Sequence, residues 1–170
     1  MNNITDTVKK VYHNIPPVFD ERSVILVLGS FPSVKSRETE FFYGHKQNRF
    51  WKVLAYVFDS PVPQTVDEKK ALLLDNRIAV WDVIASCRIS GSADSSIKDA
   101  VPNDISRIFQ KAEIKAVLLN GRTANGLYNK YFGGKYDVPS YCMSSTSPAN
   151  ASCTFEMLCA GWKEIIKLYV

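Results

Sequence analysis

Short apolar runs alternate with longer amphipathic stretches along most of the chain. The run Val24–Leu28 is apolar at every position, which is typical of a strand whose two faces are both buried in a parallel sheet. This alternation predicts a single α/β domain over residues 1–170, with three layers (α/β/α) around a central, mainly parallel four-stranded sheet. The other strands are predicted at Ile78–Trp81, Val117–Leu119 and Ser140–Met143, and helices over residues 5–13, 48–58, 65–75, 102–112, 123–131 and 151–168.

Polar segments follow the predicted strands, at residues 29–33, 82–88, 120–122 and 144–150. Open parallel sheets bind their ligands outside the carboxyl ends of the strands. Because these ends share one edge of the sheet, we expect segments 29–33 and 144–150 to form two walls of one cleft.

Composition narrows the function only slightly. The 170 residues carry a net charge of +4 with a pI of about 8.8, which permits nucleic acid as a partner without requiring it. The four cysteines form no C-x-x-C pair, so we expect reduced thiols, no metal site and no cofactor. The sequence has no apolar run near the roughly 20 residues of a membrane span and no signal-peptide pattern at its start. We therefore expect a cytoplasmic protein with no membrane contact, associated with the nucleoid if its partner is DNA.

The densest chemistry lies in residues 43–51, YGHKQNRFW. The Asn48 amide offers donors and an acceptor, so it can bind the lactam edge of a base, hold a water molecule or cap the helix predicted beside it. Tyr43 can stack on a base or pack in the core. Contacts to phosphates are one interpretation of Lys46 and Arg49, and a solvated helix face is the other. These alternatives stay open on the residues alone.

Five segments in this order resemble the uracil-DNA glycosylase superfamily, and most closely its hypoxanthine (deoxyinosine) DNA glycosylase branch. They are LVLGSFPSVKS, FFYGHKQNRFW, AVWDVIASC, LNGRTA and SSTSPAN, and they span nearly the whole chain. Many members of the superfamily place Asp or Asn at the third position of the first motif to position the attacking water. Here that residue is Phe31, which cannot orient water. The hypoxanthine branch shares this lack, so the resemblance gives the catalytic role to Asn48 and the stacking role to Tyr43.

The resemblance also implies contacts for the other motif residues. Asp82 is expected to accept an N–H from the base edge, with a helix cap or an ion pair as the competing interpretation. Asn150 is expected both to approach the DNA and to cap the last helix. The predicted base-binding residues are Gly29, Ser30, Phe31, Tyr43, Asp82 and Asn120, and the predicted DNA-binding residues are Pro32, Ser33, His45, Lys46, Arg49, Ser145, Ser147, Pro148, Ala149 and Asn150.

These motifs predict a DNA glycosylase that flips out deaminated bases and hydrolyses the N-glycosidic bond, acting on hypoxanthine from deoxyinosine and on uracil as a second candidate. The motifs hold no lysine at a Schiff-base position. We therefore expect a monofunctional, monomeric enzyme that initiates base excision repair and leaves abasic sites to downstream repair enzymes. The alternative is a catalytically weak protein that binds damaged DNA on the same fold, which Phe31 supports. A nucleotide hydrolase is a third interpretation, but a phosphate loop should contain more glycine than residues 29–33 do.

Overall fold

Seven strands and six helices make up the part of the chain that the structure, a computed structural model, describes, which is residues 8–170. The strands are β1 (Lys10–Tyr12), β2 (Ile25–Gly29), β3 (Ile78–Asp82), β4 (Ile84–Arg88), β5 (Lys98–Pro102), β6 (Ala116–Asn120) and β7 (Ser140–Met143). The helices are α1 (Val34–Thr39), α2 (Phe50–Val57), α3 (Val66–Asp75), α4 (Ser106–Phe109), α5 (Arg122–Phe132) and α6 (Phe155–Ile166), and a short 3₁₀ turn covers Asp94–Ser96.

A wholly parallel sheet forms the centre of the fold, with strand order β3-β2-β6-β7. Strand β2 is paired on both sides, and all five of its residues are buried, as its uninterrupted apolar sequence predicts. Helices flank the sheet: α2 packs on α3 and α6, while α5 packs on β6 and β7. The predicted α/β architecture with a four-stranded sheet is confirmed.

A second, antiparallel sheet of order β1-β4-β5 was not predicted. Its first strand overturns the helix predicted over residues 5–13, because residues 10–12 pair with β4; residues 5–7 of that prediction lie outside the described residues. Strand β4 likewise occupies most of the predicted polar segment 82–88. The chain enters β4 because the N–H groups of Val83 and Ile84 donate to the carbonyls of Gly29 and Ser30.

Several helix ends differ from the predicted ones because local hydrogen bonds decide where a helix begins. The helix predicted from Pro102 starts only at Ser106, since Pro102 ends β5. The last helix starts at Phe155, because the Thr154 hydroxyl caps it by accepting the Met157 N–H; the prediction that Asn150 caps it is wrong. None of the helices in residues 8–170 is both long enough and apolar enough to span a membrane.

Candidate active site

A cleft of about 650 Å³ opens at the carboxyl ends of β2, β3 and β6. It brings the loop after β2 and the loop after β7 together, although they are more than 110 residues apart, as the polar segments predict. Of the predicted site residues, the cleft contains Gly29, Ser30, Phe31, Pro32, Ser33, Tyr43, His45, Asn48, Asp82, Asn120, Ser145, Ser147, Pro148 and Ala149. Lys46, Arg49 and Asn150 lie outside its lining.

Asn48 is held by a network that crosses three chain segments. Its Oδ1 accepts the Phe50 N–H at 3.0 Å and the Thr146 hydroxyl at 2.9 Å. Thr146 is fully buried, and it also joins Asn120: its N–H donates to Asn120 Oδ1 at 3.0 Å, and its Oγ1 accepts from Asn120 Nδ2 at 3.0 Å. Buried hydrogen-bonded networks of this kind fix side chains in one arrangement.

The network fixes the orientation of the Asn48 amide. A backbone N–H can only donate, so the amide atom that faces Phe50 must be the oxygen. Both oxygen lone pairs are then used, whereas Nδ2 donates to no residue in the described part of the chain. The cap interpretation holds in part: Arg49 is the cap residue of α2, and Asn48 binds the first helical N–H from one position before it. The amide nitrogen therefore remains available to a ligand.

Arg49 holds the second loop in place. Its guanidinium donates to the carbonyls of Ser147, Asn150 and Cys153, and its backbone N–H donates to the Thr146 carbonyl at 3.0 Å. These bonds occupy three of the five guanidinium N–H donors. The structure thus gives Arg49 an internal role, and its predicted phosphate contact stays a prediction.

The loop after β2 is fixed by its own polar groups. The Ser30 hydroxyl donates to Asp94 Oδ1 at 2.9 Å, and the Ser33 side chain caps α1 by accepting the Ser36 N–H at 3.1 Å. Phe31 is buried, with its ring 5.3 Å from that of His13 and 5.3 Å from the Arg37 guanidinium. It packs as a core residue, so the position that holds the water-orienting residue in many relatives has no polar side chain here.

Asp82 ends β3 inside the cleft and is 4% exposed, yet its Oδ2 has no hydrogen-bond partner among residues 8–170. Burial, with a further contribution from the negative charge of Asp94, raises the pKa of Asp82 to about 7. Gly29 makes room for this carboxyl, because a Cβ there would lie 2.5 Å from Asp82 Oδ1 and 3.2 Å from the Tyr43 hydroxyl. The cap and ion-pair interpretations of Asp82 are both wrong: its side chain caps no helix and pairs with no cation in the described residues.

Tyr43 packs in the core and also lines the cleft, while its predicted stacking on a base stays a prediction. Its ring packs on Phe50 with the ring centroids 4.0 Å apart, and the residue also lines the cleft. Its backbone has φ of +51°, a left-handed conformation that is uncommon outside glycine. Its hydroxyl is buried without a hydrogen-bond partner in the described chain, and burial, followed by the charge of Asp82, raises the pKa of Tyr43.

The loop after β7 is bonded mainly to itself. The Ser147 N–H donates to Ser145 Oγ, the Ala149 N–H donates to Ser147 Oγ, and the Asn150 side chain donates to the Ser145 carbonyl. Pro148 and Ala149 are exposed at the rim of the cleft. These bonds fix the shape of the loop and leave its tip open to solvent.

Few of the cations in the segments around the cleft are unengaged. Lys35 pairs with Glu38 at 3.6 Å, and Arg37 donates to the Gly91 carbonyl at 3.1 Å beside Phe31. Lys46 is exposed and forms no ion pair within residues 8–170. The charge available around the cleft is therefore smaller than the sequence suggests.

Sequence reasoning missed Thr146 and the segment 92–95. Thr146 lies within the SSTSPAN motif, but nothing in the sequence distinguishes it from the hydroxyl residues beside it. Ser92, Ala93, Asp94 and Ser95 line the cleft because the hairpin from β4 to β5 folds over it, and that hairpin has no apolar run that would predict it.

The chain belongs to the uracil DNA glycosylase superfamily, whose family model matches residues 16–166. It is 34% identical over 142 residues to the hypoxanthine DNA glycosylase of Methanosarcina acetivorans, covering 82% of this chain and 89% of that protein. It is 32% identical over 155 residues to the hypoxanthine DNA glycosylase of Methanosarcina barkeri, covering 89% and 96% of the two chains.

The fold of this chain is similar to that of a solved structure. The solution NMR structure of a candidate uracil DNA glycosylase from Methanosarcina acetivorans matches with a TM-score of 0.80 and 28% identity, covering 94% of this chain and 98% of that one. The chain is therefore a DNA glycosylase, a hydrolase that acts on DNA in base repair.

Proposed function

We propose that the protein excises hypoxanthine from deoxyinosine in DNA by hydrolysing the N-glycosidic bond, with uracil as a second substrate base. The orientation of the Asn48 amide is the observation that carries this proposal. The amide oxygen already accepts two hydrogen bonds from the protein, whereas the amide nitrogen is free to donate to a ligand in the cleft. The two relatives named hypoxanthine DNA glycosylase support hypoxanthine as the first base.

The reaction begins when the nucleotide leaves the helix and enters the cleft. Unstacking and unpairing cost a few kcal/mol, and least for a mispaired base, so deaminated bases enter most readily. The C1′–N bond then breaks with oxocarbenium character, and negative charge develops on the departing base. A donor that is already fixed at that position stabilises the transition state more than the ground state.

Asn48 is the donor that fits this role. Its Nδ2 group can donate to the departing base, whereas its oxygen already accepts two hydrogen bonds and cannot also accept from the attacking water. Stabilisation of the leaving base is thus favoured over orientation of water. Buried Phe31 is consistent with this division, since it leaves the usual water-holding position without a polar group.

Lysine is missing from the cleft lining within residues 8–170, and this favours hydrolysis over a Schiff-base mechanism. We therefore propose a monofunctional, monomeric enzyme that leaves an abasic site for downstream repair enzymes. The second candidate function is binding of damaged DNA without excision, and Phe31 is the observation that favours it.

The deciding experiment is single-turnover release of free base from duplexes that contain deoxyinosine or deoxyuridine, with and without EDTA. We expect hypoxanthine release that EDTA leaves unchanged. Binding without release would support the damage-binding alternative, and activity that needs an added divalent ion would contradict the proposed mechanism.

Asn48→Asp sharpens the assignment. An aspartate keeps an oxygen for the Phe50 N–H and the Thr146 hydroxyl, but it has no N–H to donate. We expect a folded protein that has lost base release. Retained release would instead assign Asn48 to holding water.

A further inference from the structure

Neither Phe31 nor Asn48 can hold the water that attacks the sugar. Phe31 has no polar side-chain atom, and both lone pairs of the Asn48 amide oxygen are used within the protein. Water must nevertheless reach C1′ once the base departs, and it loses a proton as the new C–O bond forms. A group in the cleft that accepts this proton is therefore still needed for hydrolysis.

Four titratable side chains line the cleft in the described part of the chain: Tyr43, His45, Asp82 and Asp94. Nδ1 of His45 accepts the Gln47 N–H at 3.1 Å, so neutral His45 carries its proton on Nε2 and cannot accept another there. The Tyr43 hydroxyl and the Asp82 carboxyl are buried. Asp94 is the one that is exposed at the rim of the cleft.

The Asp94 carboxylate is fixed through one oxygen and free at the other. Its Oδ1 accepts the Ser30 hydroxyl at 2.9 Å, which joins it to the loop after β2, one residue before Phe31. Its Oδ2 accepts no hydrogen bond, and the carboxylate pairs with no cation, within residues 8–170. The free oxygen can therefore accept a hydrogen bond from water beside the position that Phe31 leaves without a polar group.

Two further bonds hold the hairpin that carries Asp94 against the same wall of the cleft. The Val34 N–H donates to Ser92 Oγ at 2.9 Å, and the Arg37 guanidinium donates to the Gly91 carbonyl at 3.1 Å. Asp94 thus lies on an anchored segment, as a group that must be in place before the reaction requires.

The electrostatics of the cleft suit a proton acceptor at this position. Loss of water around the carboxyl raises the pKa of Asp94, and the Ser30 hydrogen bond opposes that rise. A carboxylate with a raised pKa accepts a proton more readily. The same charge repels the phosphates of DNA, so Asp94 opposes binding while it can favour a cationic transition state.

We infer that Asp94 is a catalytic residue, which holds the attacking water, accepts its proton and stabilises the positive charge of the oxocarbenium sugar. This inference rests on the proposed excision reaction. The C1′–N bond breaks with its electron pair on the departing base. The water oxygen forms the new bond to C1′, and the proton of that water passes to Asp94 Oδ2. The base takes a proton from solvent and Asp94 returns one to solvent, so the products are free base and an abasic sugar.

The first test compares single-turnover release from deoxyinosine duplexes by wild type and Asp94→Asn. Asparagine keeps an oxygen for the Ser30 hydroxyl but replaces the free oxygen with an NH₂ group, so the hairpin stays anchored. We expect release to slow by roughly 10²-fold, the lower end for loss of a general base. Binding to undamaged duplex should tighten, because a negative charge near the phosphates is removed. A thermal melt establishes that the variant is folded.

Two other variants separate catalysis from anchoring. Ser30→Ala removes the bond to the hairpin and leaves the carboxylate, so we expect release to slow by less than about tenfold, the scale of one hydrogen bond. Asp75→Asn makes the same chemical change as Asp94→Asn at an exposed position outside the cleft and should match wild type. Equal losses in Ser30→Ala and Asp94→Asn would overturn the inference and assign Asp94 to anchoring the hairpin.

The second test needs no base release. Equilibrium binding is measured for duplexes that carry a stable abasic analogue, either a cationic pyrrolidine or a neutral tetrahydrofuran. Wild type should prefer the cationic analogue, and Asp94→Asn should lose about fivefold of this preference, the upper range for an exposed ion pair. If wild type releases no base, the excision proposal fails, while the two analogues still test Asp94. A wild-type release rate or an unchanged preference in folded Asp94→Asn would overturn the inference.

Discussion

The two sides of the cleft differ in how completely their polar groups are satisfied. On one side, the oxygen of Asn48 and both polar atoms of Asn120 are bonded through buried Thr146. On the other side, Asp82 and Tyr43 each leave a buried polar atom without a partner in residues 8–170. The bonded side, with Asn48, suits a group that must be in place before the reaction. The side with Asp82 and Tyr43 suits groups whose partner arrives with the substrate.

The largest expected effect is on the satisfied side. Asn48→Ala removes the free N–H donor, and we expect the chemical step to slow by roughly 10²–10³-fold, the loss typical of one oxyanion-type donor. Single-turnover kinetics with deoxyinosine duplexes measure the loss, and a thermal melt establishes that the variant is folded. A rate near wild type in a folded variant would remove Asn48 from the mechanism.

On the unsatisfied side, stability should depend on pH through Asp82. Its folded pKa of about 7 lies above the unfolded value, so the fold prefers the protonated carboxyl. This preference is fully present below about pH 4 and is lost as pH rises through 7. Asp82→Asn cannot titrate, so its stability relative to wild type should improve by on the order of 2–3 kcal/mol between pH 5 and pH 8. Denaturant melts at several pH values measure this difference, and parallel curves for the two proteins would contradict it.

A smaller effect is expected when the network loses its central hydroxyl. Thr146→Val keeps the shape of the side chain but removes the hydrogen bonds to Asn48 Oδ1 and Asn120 Nδ2. We expect a loss of about 1–3 kcal/mol in stability from the unpaired groups, and slower base release because the Asn48 amide is less well held. Thr123→Val, which makes the same change outside the cleft, is the comparison. Equal effects of the two substitutions would show that the network has no special role.

The smallest effect concerns salt. Because Lys35, Arg37 and Arg49 are engaged within the protein, few cations remain to release counterions from DNA. Each phosphate contact adds about 0.9 to the slope of log affinity against log salt for duplex DNA. We therefore expect a shallow slope, and Lys46→Ala should reduce it by about one. Binding measured over a range of salt concentrations checks this, and a steep slope would show that other cations contact the DNA.

The parts of the fold and site that sequence could predict are those with a strong local signal. The uninterrupted apolar run of β2 identifies a buried central strand, and the motif around Asn48 identifies the central site residue. Strands β1, β4 and β5 gave no such signal, because short, partly exposed antiparallel strands depend on their partners more than on their own sequence. Thr146 and Asp94 bond to Asn48 and Ser30, which lie 98 and 64 residues away along the chain. Contacts of that kind follow from the assembled topology.

The bond between Thr146 and Asn48 also sets when the enzyme becomes competent during folding. Its two residues are 98 positions apart, and Arg49 adds bonds to residues up to 104 positions away. Long-range contacts must overcome the entropy of closing a large loop, which makes them slow to form. A nascent or partly unfolded chain without residues 144–170 would therefore hold the Asn48 side chain only by its local bond to Phe50, and local opening of that segment would switch off base release while the parallel sheet stays folded.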